Sequence, residues 1–216
     1  MKRADALSLI VNSAMVGVLG FLLLRPGGAV HSWIEERRTA TRSLRQIADV
    51  WEDLTGGGER LGNRKAEVLV VEFADYECVY CRRQHEVLAR FLGSDPEVAV
   101  VYRHFPLEGH GAAPGAARAA VCASHQDRFS QMHEQLYGEE TWRADSNWAA
   151  LAERVGLPDP AAFAECIVSA ETTARLEEDR RFASMLGIRG TPTFVHRGGI
   201  HTGMISDSLL LELGSQ

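Results

Sequence analysis

Lysine is almost absent from this sequence of 216 residues: Lys2 and Lys65 are lysines, and the other 21 of the 23 basic side chains are arginines. We interpret this bias as a result of GC-rich coding, which indicates a high-GC bacterium. Positive charge is not in excess either, because 29 acidic residues give a net charge of −6. Proteins that bind a phosphate backbone need a basic surface. The composition therefore argues against a nucleic-acid partner.

Internal repeats and low-complexity tracts are also missing from the sequence. Hydrophobic residues make up 45% of the chain and charged residues 24%, as in ordinary globular proteins. These values exclude a disordered chain, a collagen and a coiled-coil array. The length is sufficient for one or two domains.

Cysteine is scarce, but its spacing is informative. Cys78 and Cys81 form a Cys-x-x-Cys motif, whereas Cys122 and Cys166 stand apart. Such a motif is compatible with a redox pair, a structural disulfide or a zinc site. An oxidising compartment favours disulfide chemistry, whereas the cytosol leaves zinc more open.

One long uncharged run, Ala6 to Leu24, lies near the N-terminus. At about 1.5 Å per residue, a helix over this run is about as long as the hydrocarbon core of a bilayer is thick. Lys2 and Arg3 precede the run and favour a cytoplasmic N-terminus. We therefore predict that residues 1–25 form a single-pass anchor in the cell (inner) membrane and that the catalytic domain is extracytoplasmic.

A cleaved signal peptide is the alternative, because Gly27, Gly28 and Ala29 are the small residues that a signal peptidase prefers. Against cleavage, the apolar run is longer than the usual core of a signal peptide. A buried core helix fits poorly, since the segment is N-terminal and apolar around its whole circumference. Both the anchor and the signal peptide export the rest of the chain into an oxidising environment.

The chain after the apolar run is predicted to have two parts. Residues 26–60 are interpreted as a stalk or linker helix, running from His31 to Leu54 and ended by the glycines at 56–58. Residues 61–216 are predicted to form one α/β domain with a helical insertion at about 107–187.

The α/β domain begins with a strand, a helix and a second strand, which predict a parallel pair joined by a right-handed crossover. Helical periodicity then replaces the strand pattern throughout the insertion, and strands return after it. The predicted elements are Glu67 to Phe73, Cys78 to Leu92, Val98 to Phe105, the insertion helices Ala112 to Tyr137, Asn147 to Val155, Pro160 to Ser169 and Glu171 to Leu186, then Thr193 to His196, Ile200 to Gly203, and a last helix from Ser206 through Leu213.

The Cys-x-x-Cys motif falls at the start of the first predicted helix of the domain. A cysteine at a helix N-terminus has a lowered pKa, because the helix dipole and free N–H groups stabilise its thiolate. We expect Cys78 at the exposed end to be the attacking thiol, and Cys81, one turn later, to be the resolving thiol. A purely structural disulfide, or zinc held by both cysteines and His85, remains an alternative.

Three stretches of the sequence resemble one known group. The segments LVVEFADYECVYCRR, YRHFPLEGHG with the alanine-rich run after it, and GIRGTPTFV are similar to the DsbA-like branch of the thioredoxin superfamily. The resemblance covers about residues 61–216. It implies a thioredoxin fold with a helical insertion, thiol-disulfide oxidoreductase activity on exported proteins, and no bound cofactor or metal.

The resemblance also assigns roles to individual residues. Cys78 and Cys81 match the redox pair, and Pro192 matches the cis-proline that lies beside the pair and binds the backbone of the substrate. Thr191 precedes this proline and is expected to face the same site. Without the resemblance, these two residues and Gly190 would indicate only a turn before a strand.

Two further positions matter for the chemistry. Glu72 matches the buried acidic residue of the family, which can shuttle the proton of the resolving cysteine. The alternative is a surface residue on an edge strand, since alternation along the strand does not fix its face. The Val79-Tyr80 pair, expected to contact substrate, departs from the family pattern, because many members have proline at the first of these positions. The redox potential therefore cannot be transferred from the family.

Other residues of the insertion are expected to be structural. Some relatives have a second disulfide here, which the resemblance places at Cys122 and Cys166; two free thiols or a second redox pair are the alternatives. Four histidines are interpreted as scaffold or site-rim residues, and four aromatic residues as insertion core. They are His104, His110, His125 and His133, and Trp142, Trp148, Phe163 and Phe182.

Together these features predict a membrane-anchored extracytoplasmic oxidoreductase that forms disulfides in exported client proteins with cysteine thiols. The resemblance implies a quinone-linked oxidase in the membrane as the redox partner. The lack of an added dimerisation domain favours a monomer. A reductase or isomerase is the alternative within the same chemistry, and a metal-binding chaperone is the alternative from another class.

Overall fold

The computed structural model describes residues 27–94 and 97–214, together with Phe21 and Arg25. The predicted membrane anchor at 1–25 lies outside the described residues, apart from those two positions. Across the described part of the chain, no helix is both long enough and apolar enough to cross a membrane. The chain divides into two compact units, Met1–Arg45 and Gln46–Gln216.

A mixed five-stranded sheet forms the centre of the second unit, in the order β1-β3-β2-β4-β5. Strands β2 and β3 are parallel and β4 is antiparallel to β2, so the predicted parallel pair is present. Helix α2, which joins the parallel strands, carries the second cysteine of the motif at its start. The bounds are β1 Glu59–Gly62, β2 Val68–Ala74, α2 Val79–Ser94, β3 Val98–His104, β4 Thr193–His196 and β5 Gly199–Thr202.

Strand β1 is absent from the sequence prediction. Its four residues, ERLG, show neither alternation nor a run of β-branched side chains. The strand exists because it pairs antiparallel with β3, with Glu59 opposite Tyr102 and Gly62 opposite Ala99. This edge strand is determined by its pairing with a distant segment of the chain. The local sequence pattern does not contain that information.

Helix α1, Ala29–Gly56, starts in the first unit and ends in the second. In the first unit it is largely exposed, and the guanidinium of Arg37 lies 4.5 Å from the centre of the Trp33 ring. In the second unit Ile47, Trp51 and Leu54 are buried, because their spacing places them on one helix face. The folded unit therefore begins before residue 61, and the prediction of 26–60 as a stalk is corrected for its C-terminal part.

The insertion consists of separate helices rather than the predicted long first helix. The segment predicted as one helix over 112–137 divides at Asp127, which has a φ of 56°. Aspartate tolerates this left-handed conformation better than most residues, so the chain reverses there. The helices are α3 Ala113–Ser124, α4 Phe129–Gly138, a short 3-10 turn Thr141–Arg143, α5 Trp148–Arg154, α6 Pro160–Val168 and α7 Ala170–Met185; after the last strand comes α8 Asp207–Gly214.

Apolar side chains cover both faces of the sheet. On one face the end of α1 and Phe182 of α7 pack against Val71, Phe73 and Val101. The insertion core is separate and includes Cys81 and Tyr102 together with Trp142 and Phe163, while Trp148 packs at its edge. The expectation that Phe182 belongs to the insertion core is therefore corrected, since it lies in the other cluster.

Candidate active site

The loop between β2 and α2 positions the first cysteine. The backbone N–H of Cys78 donates to the carbonyl oxygen of Asp75 at 3.1 Å. The buried carboxylate of Asp75 accepts hydrogen bonds from the N–H groups of Glu77 and Leu107, both at 2.7 Å, and contacts Nδ1 of His110 at the same distance. Asp75 thus ties this loop to the chain after β3, a role that the sequence analysis missed.

Cys78 lies immediately before α2, as predicted, but it is only 6% exposed rather than at an open end. Its Sγ lies 3.4 Å from the carbonyl oxygen of Thr191. The pKa of Cys78 is lowered to about 5, chiefly because the Cys81 thiol donates a hydrogen bond to its sulfur. Backbone hydrogen bonds from Tyr80 and Cys81 lower this pKa further, and all the lowering effects together outweigh burial, which raises it.

Cys81 has the opposite electrostatic character. It is fully buried in the first turn of α2. Burial is the largest cause of its raised pKa, and the hydrogen bond to Cys78 and the charge of Glu72 raise it further. Both cysteines are free thiols in this structure. The pair therefore consists of one stabilised thiolate and one protonated thiol.

Glu72 lies on β2 and is 2% exposed. Burial raises its pKa to about 8, and the negative charge of Cys78 adds to the shift. The alternative of a surface position on an edge strand is wrong, because β2 lies between β3 and β4. A carboxyl group with this pKa exchanges protons near neutral pH.

The side chains around Cys78 form an accessible surface. Val79 and Tyr80 are 54% and 59% exposed, and the guanidinium of Arg83 lies 5.9 Å from the centre of the Tyr80 ring. The bond between Thr191 and Pro192 is cis. Thr191, predicted to bind substrate, therefore lies at the sulfur of Cys78. The other three residues with this prediction adjoin these two in sequence: Val79 and Tyr80 follow Cys78, and Pro192 follows Thr191.

Cys122 and Cys166 form a disulfide between α3 and α6. The Oγ1 atom of Thr172 lies 3.2 Å from the sulfur of Cys166. Nδ1 of His125 lies 3.6 Å from the same sulfur. This disulfide links two helices of the insertion and leaves the other two cysteines unpaired.

The remaining histidines pair with protein groups. His104 contacts Glu59 at 3.2 Å, and His133 lies 3.0 Å from the hydroxyl of Tyr76 and 3.2 Å from His85. Within the described ranges, no group of three or more histidine, cysteine, aspartate or glutamate side chains is placed to hold a metal ion. The sequence contained no signal that these histidines and tyrosines meet, because the contact joins residues 57 positions apart.

Comparison with known proteins agrees with this geometry. A family model described as thioredoxin matches residues 54–212. The chain belongs to the thioredoxin family. A solved thioredoxin-like oxidoreductase from Silicibacter pomeroyi DSS-3 is 32% identical, with a TM-score of 0.68 over 75% of this chain and 94% of that one. The thiol-disulfide exchange protein alpha-DsbA2 from Wolbachia pipientis shares the fold, with a TM-score of 0.73 at 17% identity over 82% and 97%.

The solved DsbA2 of Pseudomonas aeruginosa is 29% identical, with a TM-score of 0.57 over 71% of this chain and 90% of that one, so the chain is a DsbA-like member of the thioredoxin superfamily. The matched curated proteins include the Na(+)/H(+) antiporter NhaA 3 of Salinispora tropica, 35% identical over 66% of this chain but only 22% of the antiporter. A second antiporter, NhaA 1 of Salinispora arenicola, is 30% identical over 86% of this chain and 30% of its own length. The chain spans less than a third of these curated relatives, so their transport activity is not assigned to it.

Proposed function

We propose that this protein is a membrane-anchored extracytoplasmic thiol-disulfide oxidoreductase that forms disulfides in exported proteins. The observation that carries the proposal is the unequal pair of thiols at the start of α2. The pKa of Cys78 is lowered to about 5, whereas burial raises that of Cys81. A stabilised thiolate favours the reduced protein, and a pair whose reduced form is stable is a strong oxidant.

The exchange proceeds in two steps. A client thiolate attacks Sγ of Cys78 in the oxidised protein, the bond between Cys78 and Cys81 breaks, and the electron pair remains on the sulfur of Cys81, which takes up a proton. A second client thiolate then attacks the client sulfur of the mixed disulfide and releases Cys78 as a thiolate. The client loses two electrons and the protein gains two.

The surface beside the pair is suited to an extended client segment. The exposed side chains of Val79 and Tyr80 offer apolar contact next to the reactive sulfur. The carbonyl oxygen of Thr191 faces that sulfur, and the backbone at Pro192 lies next to it in sequence. We propose that clients bind here as an extended chain, through backbone hydrogen bonds rather than a deep pocket.

The proposed setting follows from the N-terminal sequence. Residues 1–25 are proposed to anchor the domain to the outer face of the cell membrane, as a monomer. Reduced Cys78 and Cys81 then need an oxidant, which we propose to be a quinone-linked oxidase in the same membrane. The chain itself requires no cofactor for the exchange step.

A client-oxidation assay tests the proposal. Oxidised protein is mixed with a reduced model enzyme that needs two disulfides for activity, and recovery of that activity is followed. Wild type is expected to restore activity, Cys78→Ala to be inactive, and the double variant Cys122→Ala/Cys166→Ala to match wild type. Reduction of insulin disulfides without oxidation of the client would instead support a reductase, and inert wild-type protein that holds stoichiometric metal would support the metal-binding chaperone.

A further inference from the structure

A row of hydrogen-bonded side chains leads from the surface into the protein core. The carboxylate of Glu134, 64% exposed, lies 3.2 Å from Nε2 of His85. Nδ1 of His85 lies 3.2 Å from Nε2 of His133, and Nδ1 of His133 lies 3.0 Å from the hydroxyl of Tyr76. His133 and Tyr76 are buried. Four polar groups from two helices and a loop thus form one continuous connection.

One set of hydrogen-bond directions is consistent along the whole row. A carboxylate oxygen accepts, and in the neutral tautomer of His85 that donates from Nε2 to Glu134, Nδ1 of His85 accepts. Nε2–H of His133 then donates to His85, and Nδ1 of His133 accepts from the Tyr76 hydroxyl. Burial lowers the pKa of His133, which agrees with a neutral ring that donates once and accepts once. Such an arrangement can pass a proton from one end to the other.

The inner end of the row adjoins the redox pair. The ring of Tyr76 stacks on that of Tyr102 with their centres 5.5 Å apart, and the hydroxyls of Tyr102 and Tyr137 lie 2.7 Å apart. Tyr102 stands opposite Glu72 in the parallel pairing of β2 and β3, so both side chains lie on one face of the sheet. Cys81 belongs to the same buried cluster as the three tyrosines.

Helix α2 brings the outer part of the row to the same place. His85 follows Cys81 by four residues, so the two side chains share one face of α2. The ring of His85 stacks on that of Tyr137 with their centres 5.0 Å apart. The row therefore runs beside the buried thiol as well as ending near its acidic neighbour.

We propose that Glu134, His85, His133 and Tyr76, continued by Tyr102 and Tyr137, carry protons between solvent and the buried pair of Cys81 and Glu72. The inference rests on the proposed function, since only thiol-disulfide exchange requires Cys81 to change its protonation. Each time Cys81 leaves as a thiolate it takes up one proton, and each time it attacks a mixed disulfide it gives one up. Because Cys81 and Glu72 are buried, that proton needs a route.

One further buried contact between titratable side chains faces the row. His104, which contacts Glu59, lies with its ring centre 6.1 Å from that of Tyr76. Nδ1 and Nε2 of His104 make no hydrogen bond to the row. We therefore assign both residues to the surroundings of the row: Glu59 raises the pKa of Tyr76 and His104 lowers that of His133, but neither passes the proton.

The attack of Cys81 on a mixed disulfide gives the sharpest test. The full-length protein is prepared with glutathione bound to Cys78, and the release of glutathione is timed by acid quench and mass spectrometry between pH 5 and 8. The variants are His85→Phe, His133→Phe, Glu134→Gln and Glu134→Asp. Glu86→Gln, an exposed neighbour on α2 with the same change in charge as Glu134→Gln, is the matched control.

The two histidine variants are expected to release glutathione at least about tenfold more slowly than wild type, in line with the size of proton-transfer effects. The solvent deuterium isotope effect on their release rate should increase. Their equilibrium constant with glutathione should stay unchanged, whereas a merely structural role of the histidines would change this constant. Glu134→Gln should be slower than wild type, and Glu134→Asp should recover much of the rate because aspartate still accepts a proton.

Equal release rates for His85→Phe, Glu134→Gln and Glu86→Gln would overturn the route, even if His133→Phe failed to fold. Slow release accompanied by a shifted equilibrium constant would also overturn it, in favour of a structural role. A wild-type protein that releases no glutathione at all would instead overturn the proposed exchange, and with it the route. The failure of the inference and that of the proposed function are therefore distinguishable.

Discussion

The sulfur of Cys78 lies 3.4 Å from the carbonyl oxygen of Thr191, which is 113 residues further along the chain. This contact joins the start of α2 to the turn before β4, the two segments that bracket the whole helical insertion. In the sequence, the insertion therefore lies between the two segments that form this site. Reactive sulfur and client backbone are expected to meet where these segments touch.

The different roles of the two cysteines, Cys78 as the attacking thiol and Cys81 as the resolving thiol, can be tested by trapping the mixed disulfide. If Cys81 is replaced by serine, Cys78 can still attack or be attacked, but the mixed disulfide has no internal thiol to resolve it. Cys81→Ser should therefore accumulate client adducts on a non-reducing gel, and Cys78→Ser should accumulate none. Adducts on Cys78→Ser in equal amount would contradict the assignment of the attacking thiol.

Alkylation of the reduced protein should show the stabilised thiolate directly. Because only the thiolate reacts, the rate for Cys78 with iodoacetamide should rise with pH around a midpoint near 5 and be level at pH 7. Cys81 should stay unmodified over the same range, since burial keeps it protonated. A midpoint near 8.5, the value of an ordinary cysteine, would contradict the account.

Glu72 should make the stability of the folded state fall with rising pH. Its pKa is about 8 in the folded protein and about 4.3 in an unfolded chain, so the folded state binds the extra proton between these values. From pH 4 to pH 7 this costs on the order of 3 kcal/mol of unfolding free energy. Urea unfolding of the oxidised protein, in which Cys78 carries no charge, measures the larger part of the effect, which burial causes.

Glu72→Gln should remove most of that pH dependence and be more stable than wild type at pH 7. Glu86→Gln, at an exposed position, should keep the wild-type dependence. If the unfolding free energy of both variants depended on pH as that of wild type does, the role assigned to Glu72 would be wrong.

Buried charge also fixes the end of α1. Arg103 on β3 donates hydrogen bonds to the carbonyl oxygen of Leu54 and, at 2.8 Å, to the carboxylate of Asp179. Arg103→Leu should lower the unfolding free energy by about 3–5 kcal/mol, because it breaks a buried ion pair and leaves helix carbonyl groups unsatisfied. Arg90→Leu at an exposed site on α2 should change it by less than about 0.5 kcal/mol. Similar losses for the two variants would refute this role.

The disulfide of the insertion is expected to matter for stability alone. It spans 44 residues, so removing it frees a long loop in the unfolded chain. Cys122→Ala/Cys166→Ala should lose about 2–4 kcal/mol in chemical unfolding while its disulfide-exchange rate at 25 °C equals that of wild type. A slower exchange rate in a fully folded variant would show that this disulfide takes part in the reaction.

Much of the site was predictable because its signals are local. A buried strand, a Cys-x-x-Cys motif and an amphipathic helix follow one another within 28 residues of sequence, Glu67 to Ser94, and the structure keeps their order. The burial of Glu72 was left open from the sequence, since a single strand does not reveal its neighbours. The neighbours β3 and β4 decide it.

The unpredicted parts depend on contacts between distant segments. Strand β1 is defined by its pairing with β3, and the end of α1 is held by Arg103 from the same strand. The connection from Glu134 to Tyr76 joins a helix of the insertion to the loop after β2. None of these has a periodic signature, because each consists of single side chains that meet only in the folded chain.

The reduction potential of the Cys78–Cys81 pair tests the central claim most directly. It is measured in graded glutathione buffers on the Cys122→Ala/Cys166→Ala variant, so that only one pair titrates, and wild type is measured beside it. We predict a potential close to that of the oxidant DsbA, about −120 mV. A potential close to that of thioredoxin, about −270 mV, would contradict the proposal that this protein donates disulfides.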